Sequence, residues 1–246
     1  MAALDPVYQR FLPETFGFSI DSTTAKFDTQ GASLAADFRY SFQTERPIIE
    51  DVLATVESED TFYDVGANIG LYSCFVGQTL TTGTIIAFEP HPEEAKILRK
   101  NLKHNGLPRD AVHRVALSDS NGLATLRTSF EGAGHAVVNE NTAPEPLYEV
   151  DKRVGDEYIT TADLPSPSVV KIDVEGLELP VIEGFAETLS IDTCRVVYAE
   201  YHPSKSSYTE GELVEAFETL GFSVEILGQR RVGENDQKHL KATKAL

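Results

Sequence analysis

Asp173, Glu175, Glu200 and His202 are the residues of this 246-residue chain best suited to proton transfer. Each falls at or just past the end of a β-favouring run, the first two around residues 168–174 (SVVKIDV) and the others around 193–201 (TCRVVYAEY). Parallel strands deliver their C-terminal residues to one edge of a sheet, so two neighbouring strands would bring all four side chains to one rim. A carboxylate or imidazole placed there can take the proton of a hydroxyl while its oxygen attacks an electrophile. Asp173 has the better location, facing the crevice, and His202 the ordinary pKa nearer neutrality. The same four residues could hold Mg²⁺ or Mn²⁺, but nothing in their spacing demands an ion, and the expectation is metal-free catalysis by Asp173, His202 or Glu200. His135, in the polar stretch 131–135, is a further candidate for base or acceptor contact.

A second set reads as a binding site. Residues 61–73 (TFYDVGANIGLYS) run from a β-favouring stretch through Gly66, Ala67, Asn68 and Gly70 into apolar helical spacing at Leu71, Phe75 and Val76. The two glycines admit a sharp turn and leave the backbone open to a ligand. The turn lacks the G-x-G-x-x-G order that admits a dinucleotide pyrophosphate, which disfavours an NAD-dependent oxidoreductase, the first alternative. A ligand bearing an ammonium and a carboxylate fits better. Asp64 would fix the turn or accept from the ammonium, while the turn amides and the helix N-terminus would hold the carboxylate. Glu89 closes the next strand, near the spacing of roughly 20 residues at which α/β nucleoside binders place a ribose-gripping acid. A third strand over 111–117 ends at Ala116, Leu117 and Ser118, where an adenine would rest against an apolar wall with Ser118 or Asp119 at its edge. Asp119 could equally cap the turn before Asn121-Gly122.

The blocks DVGANIGLYS, IIAFEPHPEEAKILRKNLKHNG, RVALSD and VVKIDVEGLELPVIEG, in this order over about residues 61–203, resemble the FkbM-type branch of the class I S-adenosylmethionine (SAM) methyltransferases. The resemblance implies an α/β fold: a Rossmann-like, doubly wound, seven-stranded sheet with a terminal antiparallel strand. It also implies SAM as cofactor and O-methylation of a hydroxyl on a sugar, glycan or polyketide. Asp64, Gly66, Ala67, Asn68 and Gly70 then form the methionine side of the cofactor site, Glu89 the ribose contact, and Ala116, Leu117 and Ser118 the adenine wall. Asp173 faces the transferred methyl. A non-catalytic SAM- or nucleoside-binding module is the second alternative.

The elements that must position these groups divide in two. Alternation at residues 16–20, 25–28 and 37–42 reads as an N-terminal β appendage over 1–46, which would cap the site, contact a second copy, or form a passive edge. Residues 47–246 form the methyltransferase domain, opening on a helix at 47–56 and carrying an insertion over about 122–164 on the acceptor side. Later helices fall at about 92–105, 177–189 and 208–220, and strands at 222–227 and 238–243 close the chain. With 39 acidic against 21 basic residues and a net charge of -18, the surface would repel nucleic acid and anionic membranes. Such acidity keeps salt-adapted proteins soluble, which fits a halophilic source. Cys74 and Cys194, without metal spacing, read as core thiols of a reducing compartment. With no membrane-spanning run, the expectation is a cytoplasmic enzyme acting on a small-molecule or lipid-linked acceptor.

Overall fold

The computed structural model describes residues 15–28, 32–128, 135–137, 147–232 and 235–245. Its first two strands, Thr15–Ile20 (β1) and Thr23–Asp28 (β2), pair antiparallel as an N-terminal hairpin, with Phe16 opposite Phe27. The helix Ala32–Thr55 (α1) then runs without interruption through Pro47. This corrects the strand expected over 37–42 and crosses the division at 46/47. Alternation and helical spacing coexist there, and the helical one wins because Phe42, Ile49 and Val52 fall on one face and are buried. Phe42 stacks on Phe18 at 4.4 Å and on Phe75 at 5.7 Å, tying helix and hairpin to the body.

The body begins with Thr61–Val65 (β3), Leu71–Val76 (α2), Thr84–Phe88 (β4) and Pro92–His104 (α3). Val112–His113 (β5) and Ala116–Ser118 (β6) follow. The single strand expected over 111–117 is thus two short ones, and β6 leaves the main sheet for a second, four-stranded sheet with Gly122–Thr128 (β7), His135–Val137 (β8) and Leu147–Val154 (β9). The helix Gly155–Thr161 (α4) returns the chain to Val169–Ile172 (β10). Beyond it lie Glu178–Gly184 (α5), Ala186–Ser190 (α6), Val196–Tyr201 (β11), Glu210–Thr219 (α7), Phe222–Val232 (β12) and Asn235–Lys244 (β13). The helix expected over 177–189 is broken at Phe185, which turns into the core between α5 and α6.

The main sheet has the order β12-β13-β11-β10-β3-β4-β5. The strands from β11 through β5 are parallel, and β13 inserts antiparallel beside β11. Because successive strand residues face opposite ways, Phe62 joins the core beneath α1, α2 and α3 while Tyr63 joins the core beneath α5, α6 and α7. Among the described residues, no helix is long and apolar enough to cross a membrane.

At the N-terminal ends of these strands, Arg195 grips Asp60 through two hydrogen bonds of 2.8 and 3.0 Å, joining the turn before β3 to the start of β11. Burial would raise the Asp60 carboxyl, but Arg195 and the Glu57 amide outweigh it and hold it below the ordinary carboxylate range. A depressed carboxyl stabilises the fold above its unfolded-state pKa of about 3.9, and that contribution disappears as pH falls through the folded value. Asp60→Asn should therefore lower the unfolding free energy by about 1.5–3 kcal/mol at neutral pH. Urea melts should show the gap to wild type closing as the pH is taken below about 3.9.

Candidate active site

Past the C-terminal ends of β3, β4 and β10 lies a cleft of about 850 Å³, counting its open mouth. Gly66, Asn68 and Glu89 line one side, Ala116, Leu117 and Ser118 a second, and Asp173 and Glu175 a third. Glu89 is buried, and its two oxygens accept the amides of Asn68 and His91, both at 2.8 Å. These bonds fix the carboxylate at the cleft wall. The described part of the insertion contributes Ala124, Leu126 and Lys152, which stand at the Ala116–Ser118 end of the cleft because β6 pairs with β9. That places it beside Ala116, Leu117 and Ser118, whereas the acceptor side was expected. Asp119 accepts from the Ser118 and Ser120 hydroxyls, at 3.0 and 2.9 Å, and does not line the cleft.

The turn after β3 corrects part of the sequence reading. The Gly66 and Ala67 amides both donate to the Phe88 carbonyl at 3.0 Å, the Asn68 amide goes to Glu89, and the Gly70 amide to Ala67. The amides of Gly66, Ala67 and Asn68 join the turn to β4 and Glu89, and that of Gly70 closes the turn on itself, so none is left for a ligand carboxylate. Asp64 is buried, accepts from the Ser73 amide and hydroxyl at 3.0 and 2.6 Å, and is absent from the cleft wall along with Ala67 and Gly70. It pins the start of α2, the first of its two expected roles. Gly66 does meet the site: a Cβ there would lie 1.8 Å from the Asp173 carbonyl oxygen, and its φ is +79°. Only glycine lets β3 and β10 close together at this point.

The rim assembles as expected, with additions. His202 is buried, and its Nδ1 lies 3.1 Å from Glu178, while Nε2 faces Glu200 at 3.5 Å, Glu175 at 3.8 Å and Asp173 at 3.9 Å. Glu178, fully buried, also accepts from the Gly176 amide at 2.9 Å and from the Tyr208 hydroxyl. It orients the imidazole. Glu175 pairs with Lys205, and left-handed backbone at Glu175 (φ +57°) and Gly176 (φ +96°) turns its carboxylate back toward Asp173. Asp173 and Glu175 line the cleft, with Glu200 and His202 behind them. His135 lies in β8, and its side chain is outside the described residues.

Lys171, a charged residue inside the apolar run of β10, had no assigned role. Its ammonium lies 2.9 Å from Asp173 and 4.6 Å above the Tyr72 ring. Burial would lower its pKa, but Asp173, Asp64 and Glu200 outweigh burial and hold it charged. In return Asp173, which burial would raise, is held down to about 2 by Lys171 and then His202. Burial, then Asp173, pushes Glu200 well above the ordinary range. Burial alone would depress His202, and its bond to Glu178 reverses that. A lone lysine between Val170 and Ile172 was the one signal the sequence offered for this counter-ion.

A doubly wound sheet with β13 reversed between β11 and β12, and an acid closing β4 beside the cleft, defines the class of Rossmann-like methyltransferases. Magnesium protoporphyrin IX methyltransferase (ChlM) from Synechocystis PCC 6803, solved with bound SAM, shares the fold with a TM-score of 0.54 and 13% identity, over 89% of this chain and 86% of that one. The sequence model of the FkbM methyltransferase domain matches residues 64–224, and the chain belongs to that family. Among its relatives, hexuronic acid methyltransferase AglP of Haloferax volcanii is 32% identical over 64% of this chain. The match spans 62% of that relative's length. The 2-O-methyltransferase NoeI of Sinorhizobium fredii is 28% identical over 78% of this chain and 84% of its own.

Removing the Lys171 charge would leave the buried Asp64 and Glu200 and the half-buried Asp173 without their shared cation. Lys171→Met should lower stability by about 3–5 kcal/mol, the loss typical of breaking a buried ion pair from one side. Denaturant unfolding at neutral pH measures this; a variant as stable as wild type would contradict the counter-ion role.

Proposed function

We propose that this protein is a SAM-dependent O-methyltransferase acting on a sugar hydroxyl. The observation that carries the reading is the pairing across one cleft of Glu89, its carboxylate pinned by two amides, with the Asp173 rim. SAM, when bound, supplies an electrophilic methyl on a sulfonium. Glu89 accepts from the ribose hydroxyls, and Ala116, Leu117 and Ser118 border the adenine. Asp173, with Glu200 and His202 behind it, meets the acceptor hydroxyl and receives or directs its proton, so positioning and proton removal account for most of the chemistry. A sugar acceptor is supported by the relative named for hexuronic acid and by the relative named for 2-O-methylation. The two free, buried cysteines fit action in the reducing cytoplasm, on a soluble or lipid-linked glycan. The oxidoreductase alternative has no feature in its favour, since the turn that would cradle a pyrophosphate is closed on Phe88 and Glu89.

Cofactor and acceptor residues should separate in one set of measurements. Glu89→Ala should weaken SAM binding by about 1.5–3 kcal/mol, the range for a hydrogen bond to a charged group. Asp173→Asn and His202→Ala should leave the SAM dissociation constant nearly unchanged and lower turnover by about 10²- to 10⁴-fold. Calorimetry with SAM and steady-state rates check both halves. Full turnover in both rim variants would return the acceptor chemistry to the insertion, with His135 the next residue to test.

A further inference from the structure

The acceptor rim gathers four carboxylates around one imidazole. Asp173, Glu175, Glu178 and Glu200 all converge on His202, against the ammonium groups of Lys171 and Lys205. His202 is held as metal-ligating histidines are held: one ring nitrogen is fixed by a buried carboxylate, itself anchored by an amide and a tyrosine, so the other nitrogen is aimed. That other nitrogen makes contacts of 3.5–3.9 Å with three carboxylates, all longer than a good hydrogen bond. One oxygen each of Asp173 and Glu175 and the free His202 nitrogen lie within 4.8 Å of one another. Atoms bound about 2.1 Å from one ion sit about 3 Å apart when at right angles, so the two histidine contacts need to close by about 1 Å and the carboxylate pair by less than about 2 Å.

We infer that Asp173, Glu175 and His202 Nε2 ligate one divalent cation of the Mg²⁺ or Mn²⁺ kind, with Glu178 as the carboxylate that orients the histidine. Two hard oxygen donors and an imidazole, with no thiolate, select this class of ion. A second set with metal-ligand spacing, Glu45, Glu200 and His239, is less suited, because none of the three lines the cleft. Asp173 and Glu175 do line it, so the ion keeps open positions toward the acceptor. Two neighbouring sugar hydroxyls fill those positions, and the ion lowers the pKa of the attacking one. Its proton leaves to solvent, the O–CH₃ bond forms as the S–CH₃ bond breaks, and neutral S-adenosylhomocysteine remains. Binding of the ion stands on geometry alone, whereas this role rests on the methyl-transfer reading.

The test uses the full chain, stripped with EDTA and dialysed, with free Mn²⁺ followed by electron paramagnetic resonance during titration. Wild type should take up one Mn²⁺ per chain, and Mg²⁺ should compete. Asp173→Asn and Glu175→Gln should each weaken uptake at least about tenfold, and Glu178→Gln by about 10- to 100-fold. Glu215→Gln, exposed on α7, should not change it. Calorimetric SAM binding reports separately on each variant's fold, and either ligand variant suffices if the other fails to fold. Absence of saturable uptake in wild type, or uptake unchanged in both ligand variants, overturns the inference. With SAM binding intact, that outcome leaves the rim as a metal-free base and the methyl-transfer reading standing. Loss of SAM binding beside normal Mn²⁺ uptake would do the reverse.

Discussion

One buried cation underlies the site. Lys171 sits in β10 between Asp64 of β3 and Tyr198 of β11, its register partners on either side. From there it faces Asp64, Asp173 and Glu200, and its charge opposes the rise that burial imposes on each carboxyl. Asp64 can then hold the start of α2 through Ser73 while Asp173 remains ionised in the cleft. One side chain thus supports both the turn after β3 and the rim around His202.

A second constraint couples the two halves through the backbone. The Asp173 carbonyl presses on Gly66 so closely that no side chain fits there, and the Asp173 amide donates to Val65 at 2.9 Å. Just beyond, left-handed residues at Glu175 and Gly176 send one carboxylate into the cleft and let the Gly176 amide reach Glu178. Strained backbone concentrates where geometry must be exact for function, and here it lies between the turn after β3 and the imidazole.

Much of this was legible from strand ends. Glu89, Asp173, Glu200 and His202 were found because a polar residue closing an apolar run has one place to go, the C-terminal edge of the sheet. Asp64 shows the limit, since a carboxylate at a strand end carries no mark of whether it turns to the ligand or to the next helix. The turn amides were misassigned because their bonds to Phe88 depend on how β3 and β4 pair, which the turn's own sequence does not encode. Residues 37–42 satisfied two periodicities, and packing against Phe18 and Phe75 chose the helix. Glu45 fell between the strand expected over 37–42 and the helix expected over 47–56, and His239 meets Glu200 only through the antiparallel register of β13.

The account's central claim is transfer of a methyl group from SAM to a sugar hydroxyl. Its most direct test is incubation of the purified protein with SAM carrying a labelled methyl and a panel of glycosides, hexuronic acids included, followed by base treatment of the product. The account predicts label in a base-stable ether on a ring hydroxyl. Label released by base, as from a methyl ester of the carboxylate, or label remaining on SAM across the panel despite tight binding, would contradict it.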